Sequence, residues 1–273
     1  MQKTFSTPTP VSLFVELRAG DLVVHAGATD ETVVEVSGGD ADDVTVEQHG
    51  DEISVIAGRG GHGFFGSARQ VSVHVSVPQD SRLSTKLGSA DLRVEGRIGA
   101  TKVRTGSGGV QVDEIAADGS FEAGSGDIQV DVVTGSLQVK SGSGDVVLDR
   151  VEGSTEVSTG SGDVSVGSAR QALSVRSGSG DMRAREAYGD VVMSTASGDL
   201  VVDRLHGGQL SAKNVSGDIH VGVPAGVPVW TDISTMTGSV RSNLQGAGQP
   251  DEGQDHIELR AKTVSGDIEL RQL

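Results

Sequence analysis

Residues 127–180 read DIQVDVVTGSLQVKSGSG, then DVVLDRVEGSTEVSTGSG, then DVSVGSARQALSVRSGSG: three 18-residue segments that open on Asp127, Asp145 and Asp163 and close on the same Gly-Ser-Gly turn. Inside the first, Ile128 and Val130 alternate with Gln129 and Asp131, a corner follows over 132–135, and Leu137 and Val139 alternate with Gln138 and Lys140. Alternation of period two, bounded by Gly and Ser, is the signature of short strands joined by turns. A strand pair of this size cannot bury its apolar face alone. Stacking solves the problem: with Ile128 over Val146 and Val146 over Val164, each strand pairs with the segments above and below, about 4.8 Å away.

The turn recurs outward from this block. Counted as Gly-Ser-Gly-Asp, it has its last residue at Asp91, Gly109, Asp127, Asp145, Asp163, Asp181 and Asp199, then at Asp218 and Asp267, with a degenerate copy, Thr237-Gly238-Ser239-Val240, between those two in sequence. Self-similarity at a fixed period marks a solenoid. The reading is an all-β, parallel β-solenoid with 18-residue coils. Residues 88–217 form its regular part, 1–87 irregular N-terminal coils and a cap, and 218–273 C-terminal coils and a cap, in one continuous domain. Residues 11–87 contain strand-like runs at 11–17, 21–25, 32–36, 44–48, 53–57 and 71–77, read as wider early coils, with a small separate sandwich as the alternative. Gly106, Gly124, Gly142, Gly160 and Gly178 share a column with Ala196. A β-carbon tolerated at 196 indicates close backbone approach, rather than positive φ, as the reason for glycine there.

Composition narrows the function. The chain has 22 basic and 38 acidic residues, a net charge of −16. That balance argues against nucleic acid and against an anionic membrane surface. There is no Cys, hence no disulfide framework and no thiolate metal site. No stretch has the length of a membrane span, so no membrane insertion is expected. Met1–Pro10 has one Lys and no apolar run, which points to the cytoplasm unless export follows a non-classical route.

The segments Thr159–Val166 and Arg176–Asp181, together with Val71–Pro78 and Leu83 before the first such turn, resemble a bacterial β-strand-repeat family labelled as candidate adhesins, of unknown function. The resemblance extends over the chain after residue 11. It implies a single-stranded β-helix, right-handed like most parallel crossovers. It also implies an interaction role rather than an activity.

Four features of the sequence are candidate sites. Stacked carboxylates at Asp127, Asp145, Asp163, Asp181 and Asp199 have the spacing to gather Ca²⁺ between coils. The preferred reading is structural, each Asp capping amides of its own turn. His25, His49, His62, His74, His206, His220 and His256 show no metal-ligand spacing. Arg150, Arg170, Arg176, Arg183, Arg185 and Arg204 lie among Asp149, Asp203 and Glu186, read as surface ion pairs rather than a lyase-like centre. The loop Gly58–Gly66 carries His62, Phe64 and Phe65, suited either to partner contact or, as preferred, to covering the solenoid's end. No catalytic residue, metal or cofactor is expected. The resulting function is a non-catalytic scaffold, monomeric or weakly oligomeric, that binds a protein or glycan. The alternatives are a self-assembling filament and a polysaccharide-active enzyme.

Overall fold

The computed structural model describes residues 1–39, 41–57, 70–245 and 256–273. The described residues form strands and turns, with a 3-10 turn at Ala41–Asp43. The chain divides into two compact units, Met1–Gly135 and Ser136–Leu273.

In the unit Ser136–Leu273, parallel strands stack as two ladders. The first runs Leu137–Ser143, Thr155–Ser161, Leu173–Ser179, Val191–Ser194, Gly208–Lys213, Ile257–Ser265 and Val229–Thr237. The second runs Val146–Val151, Val164–Ala169, Met182–Ala187, Leu200–Leu205, Ile219–Val223, Ile268–Gln272 and Val240–Ser242. Val146 pairs with Val164, Val164 with Met182 and Met182 with Leu200, so like positions form columns. The inward member of each alternating pair is buried: Leu148, Val166, Ala184 and Val202 occupy one such column. Burying an aliphatic side chain of this size contributes roughly 1.5–3 kcal/mol.

The end of this unit departs from chain order. Ile257–Ser265 lies between Gly208–Lys213 and Val229–Thr237, and Ile268–Gln272 between Ile219–Val223 and Val240–Ser242. The last strands therefore insert inside their predecessors. Side-chain chemistry accounts for the order. Ile257, Leu259 and Ala261 point inward and are fully buried, whereas Val229–Thr237 turns Thr231 and Thr235 inward and is only partly covered. The more apolar strand takes the position with neighbours on both sides.

In the unit Met1–Gly135, the 16-residue strand Ser12–Gly27 pairs in parallel with Arg82–Ile98. Arg82–Ile98 in turn pairs with Thr101–Thr105 and Val110–Ile115, followed by Gly119–Ser125 and Ile128–Val133. The runs read separately at 11–17 and 21–25 are thus one strand. Antiparallel pairing, which the repeat does not suggest, occurs near the chain start. Gln2–Ser6 pairs with Glu31–Gly38, which pairs with Val71–Pro78, and Val44–His49 folds back on Glu52–Ala57. These short strands end the ladder without leaving a long parallel edge open.

The glycine column behaves as its alanine exception suggested. Gly106, Gly124, Gly160 and Gly178 lie outside the positive-φ set. A β-carbon on each would sit 2.5–2.7 Å from the carbonyl oxygen of Gly88, Gly106, Gly142 and Gly160 respectively.

Candidate functional site

The aspartate column is a ladder between strands, which corrects the expectation that each carboxylate caps its own turn. The Asp163 N–H donates to Asp145 Oδ1 at 2.9 Å, Asp181 to Asp163 at 2.8 Å, and Asp199 to Asp181 at 2.8 Å. The series continues from Asp218 to Asp199 at 2.7 Å, Asp267 to Asp218 at 2.7 Å, and Ser239 to Asp267 at 2.8 Å. In the unit Met1–Gly135, the Gly109 N–H donates to Asp91 Oδ1 at 2.8 Å. The reason is geometric: the turn amide faces along the stack, so the carboxylate one step away meets it. Ser239 ends the series because it lies outermost, where a carboxylate would have no further amide to accept among the described residues. The bond from Ser239 is also the main cause that holds the Asp267 carboxyl below the usual aspartate range. Among the described residues no cluster of three His, Asp or Glu side chains converges to hold a metal ion.

The arginines near Asp149, Asp203 and Glu186 are ion-paired on exposed flanks. Arg183 forms a fork with Asp203 at 2.7 and 2.9 Å, Arg185 reaches Asp149 at 2.8 Å, and Arg204 reaches Glu186 at 3.2 Å. At one corner, Arg170 lies 4.1 Å over the Tyr188 ring, and Tyr188 stacks on His206 with centroids 4.2 Å apart. The Tyr188 hydroxyl donates to Glu186 Oε2 at 2.7 Å. That bond is the leading cause of a lowered Glu186 pKa and a raised Tyr188 pKa. Glu269 is likewise lowered, chiefly by Arg271. Each of these carboxyl shifts favours the charged form.

His62, Phe64 and Phe65 lie outside the described residues. A further aromatic side chain among the described residues is Phe14, which sits in an ordinary alternating strand and carries no motif that marks it in the sequence. Phe14 points outward, between Ser54 on one neighbouring strand and Ser84 on the other; beyond Ser84 come Lys102 and Ser120. The small side chains of Ser84 and Ser120 leave a trough of about 480 Å³ beside the ring. Arg82, Lys102, Glu52 and Asp118 also line it. Lys86 Nζ lies 5.5 Å from the centre of the Phe14 ring. Neither Arg82 nor Lys102 pairs with a carboxylate among the described residues, unlike Arg104, which meets Glu122 at 2.9 Å. Arg82 and Lys102 therefore stand beside the Phe14 ring in a lining whose charge is balanced, two cations against the two carboxylates of Glu52 and Asp118.

The family described as Toastrack DUF4097 matches residues 11–187 and again 167–271. No curated protein matches. Among solved structures, one named as a candidate adhesin from Bacteroides fragilis is 11% identical with a TM-score of 0.35, over 99% of this chain and 96% of that one. A second protein so named, from Parabacteroides merdae, is 11% identical with a TM-score of 0.42, over 99% and 95%. A protein from Parabacteroides distasonis named as a candidate lipid binding protein is 13% identical with a TM-score of 0.48, over 99% and 96%.

Proposed function

The chain belongs to the Toastrack DUF4097 family, and from that premise we propose that it is a non-catalytic interaction scaffold for a protein or glycan partner, with the Phe14 trough as its binding face and an acidic glycan as the favoured ligand. The observation that carries this reading is the conjunction of an accessible aromatic ring with Arg82 and Lys102 in one trough. The flat face of Phe14 suits the C–H face of a pyranose ring. The Lys102 ammonium and Arg82 guanidinium suit a sugar carboxylate through charge-assisted hydrogen bonds. Ser84, Thr101 and Ser120 line the same space. Non-catalytic action is supported by the arginine pairs on the flanks, which engage the carboxylates that a lyase-like centre would use. It is further supported by the shifts of Glu186, Asp267 and Glu269, all away from the raised pKa a general acid needs.

The test is calorimetric titration with oligogalacturonate and, in parallel, with an uncharged glucan of equal length. The acidic sugar binds, the neutral one binds more weakly, and Phe14→Ala and Lys102→Glu each weaken binding by about tenfold or more, equivalent to ~1.4 kcal/mol. Equal affinity for both sugars, or binding indifferent to Phe14→Ala, overturns the assignment.

A further inference from the structure

The unit Ser136–Leu273 ends in an edge that differs from the other strand ends of the chain. Val229–Thr237 pairs on one side with Ile257–Ser265, and among the described residues nothing pairs with its other side. It is nine residues long. Its inward positions Val229 and Ile233 are only half-buried, although their partners Ile257 and Ala261 are fully buried. Its outward positions are Trp230, Asp232, Ser234 and Met236, of which Trp230 is 52% and Met236 80% exposed.

A second observation leads to the same place. The close-approach column that holds Gly160 and Gly178 continues as Ala196, Val215, Val264 and Met236, by the register of the flanking serines and threonines. The side chain grows toward the open end, and Val215 and Val264 are 54% and 42% exposed. Exposed apolar side chains arranged as one continuous ridge mark an interaction surface.

We infer that two copies of this chain pair end to end along Val229–Thr237, antiparallel, about a two-fold axis centred on Ile233. In that register Trp230 faces the partner's Met236, Asp232 faces the partner's Ser234, and Thr231 faces the partner's Thr235. Residues opposite each other in an antiparallel pair share a face, so Val229 and Ile233 stay inward and gain the cover they lack. Each Trp–Met pair supplies a sulfur–aromatic contact, and the two-fold makes two of them. The one charged side chain on the strand, Asp232, already meets Lys262 at 3.2 Å, so pairing brings no bare like charges together despite the net charge of −16.

The edges of the unit Met1–Gly135 are poorly suited to the same use. Gln2–Ser6 and Val44–His49 are five and six residues long, and Lys3 Nζ donates to the Val46 carbonyl at 2.7 Å, occupying an acceptor there. Short edges guarded by Lys resist strand addition. Self-pairing at one edge alone closes as a dimer and does not propagate as a filament.

Sedimentation equilibrium of the full chain, from low to high micromolar concentration, provides the test. The expected result is a reversible monomer–dimer equilibrium, with Met236→Lys weakening it by tenfold or more. The chain has no Cys, so Ile233→Cys introduces a single thiol. Opposite residues of an antiparallel pair fall within disulfide reach, so this variant forms a covalent dimer under mild oxidation far faster than Val147→Cys on the exposed flank. A single monomer boundary throughout, assembly beyond the dimer, a dimer indifferent to Met236→Lys, or equal cross-linking of the two cysteine variants overturns the inference. Should Ile233→Cys fail to fold, the unmodified chain and Met236→Lys still decide it.

Discussion

The Arg185 guanidinium donates to Asp149 Oδ1 at 2.8 Å across an intervening strand, directly over Gly167. The contact exists because Gly167 has no side chain: a β-carbon there would lie 2.6 Å from Arg185 Nη2 and 2.8 Å from Asp149 Oδ1, and would collide with the Asp149 carbonyl oxygen. Glycine at 167 follows from what the strands on either side do over it.

Two substitutions separate the backbone constraint from the ion pair. Gly167→Ala forces a shift against the Asp149 backbone and costs ~1–3 kcal/mol, as overpacking does. Arg185→Gln removes only an exposed pair, worth less than about 1 kcal/mol. Urea unfolding of both variants measures the difference, and equal costs refute the steric account.

The aspartate ladder gives a prediction about amide satisfaction. Asp181→Ala deprives the Asp199 N–H of its acceptor, at a cost of about 1 kcal/mol. Asp181→Asn keeps a carbonyl oxygen at that position and costs less than Asp181→Ala. Calcium leaves the thermal midpoint of the unaltered protein unchanged, because one oxygen of each carboxylate already accepts an amide and no three ligand side chains converge among the described residues. A midpoint that climbs with added calcium would restore the column as an ion site.

Asp267 sets an acid-side dependence. Its folded pKa is depressed, first by the bond from the Ser239 backbone. The stability it contributes is therefore complete above the unfolded value, near 4, and is lost as pH falls through the lower folded value. Asp267→Asn flattens the acid limb of a plot of melting midpoint against pH and leaves the neutral limb parallel to that of the unaltered protein.

Tyr188→Phe tests the corner stack. The ring remains between Arg170 and His206, but the bond to Glu186 is gone. The Glu186 pKa then rises toward that of an ordinary glutamate, as seen by carboxyl-carbon NMR titration, while stability changes by less than about 1 kcal/mol. An unmoved Glu186 titration assigns the depression to Arg204 and its neighbours.

The repeat was legible because its causes lie within one segment. Alternation in Asp127–Gly144 names the inward residues, and Ile128 and Val130 are buried as that pattern requires. Ala196 among the glycines was enough to separate close approach from positive φ. Other features escaped for physical reasons. The direction of the aspartate bond depends on which way a turn amide faces along the stack, and spacing does not encode that. Phe14 became a trough wall beside a small neighbour on another strand, Ser84. That residue lies 70 positions away in the chain.

The sequence by itself determined that the chain is all-β, that its strands pair in parallel, and which side chains face inward, because alternation and turn chemistry are local and a repeat superposes them. Tertiary structure alone decided that 257–272 inserts inside 229–242, that Ser239 and not Asp267 stands last, and that the chain start folds antiparallel. The first two outcomes compare the burial of one strand against another distant in sequence, a competition that no single segment contains.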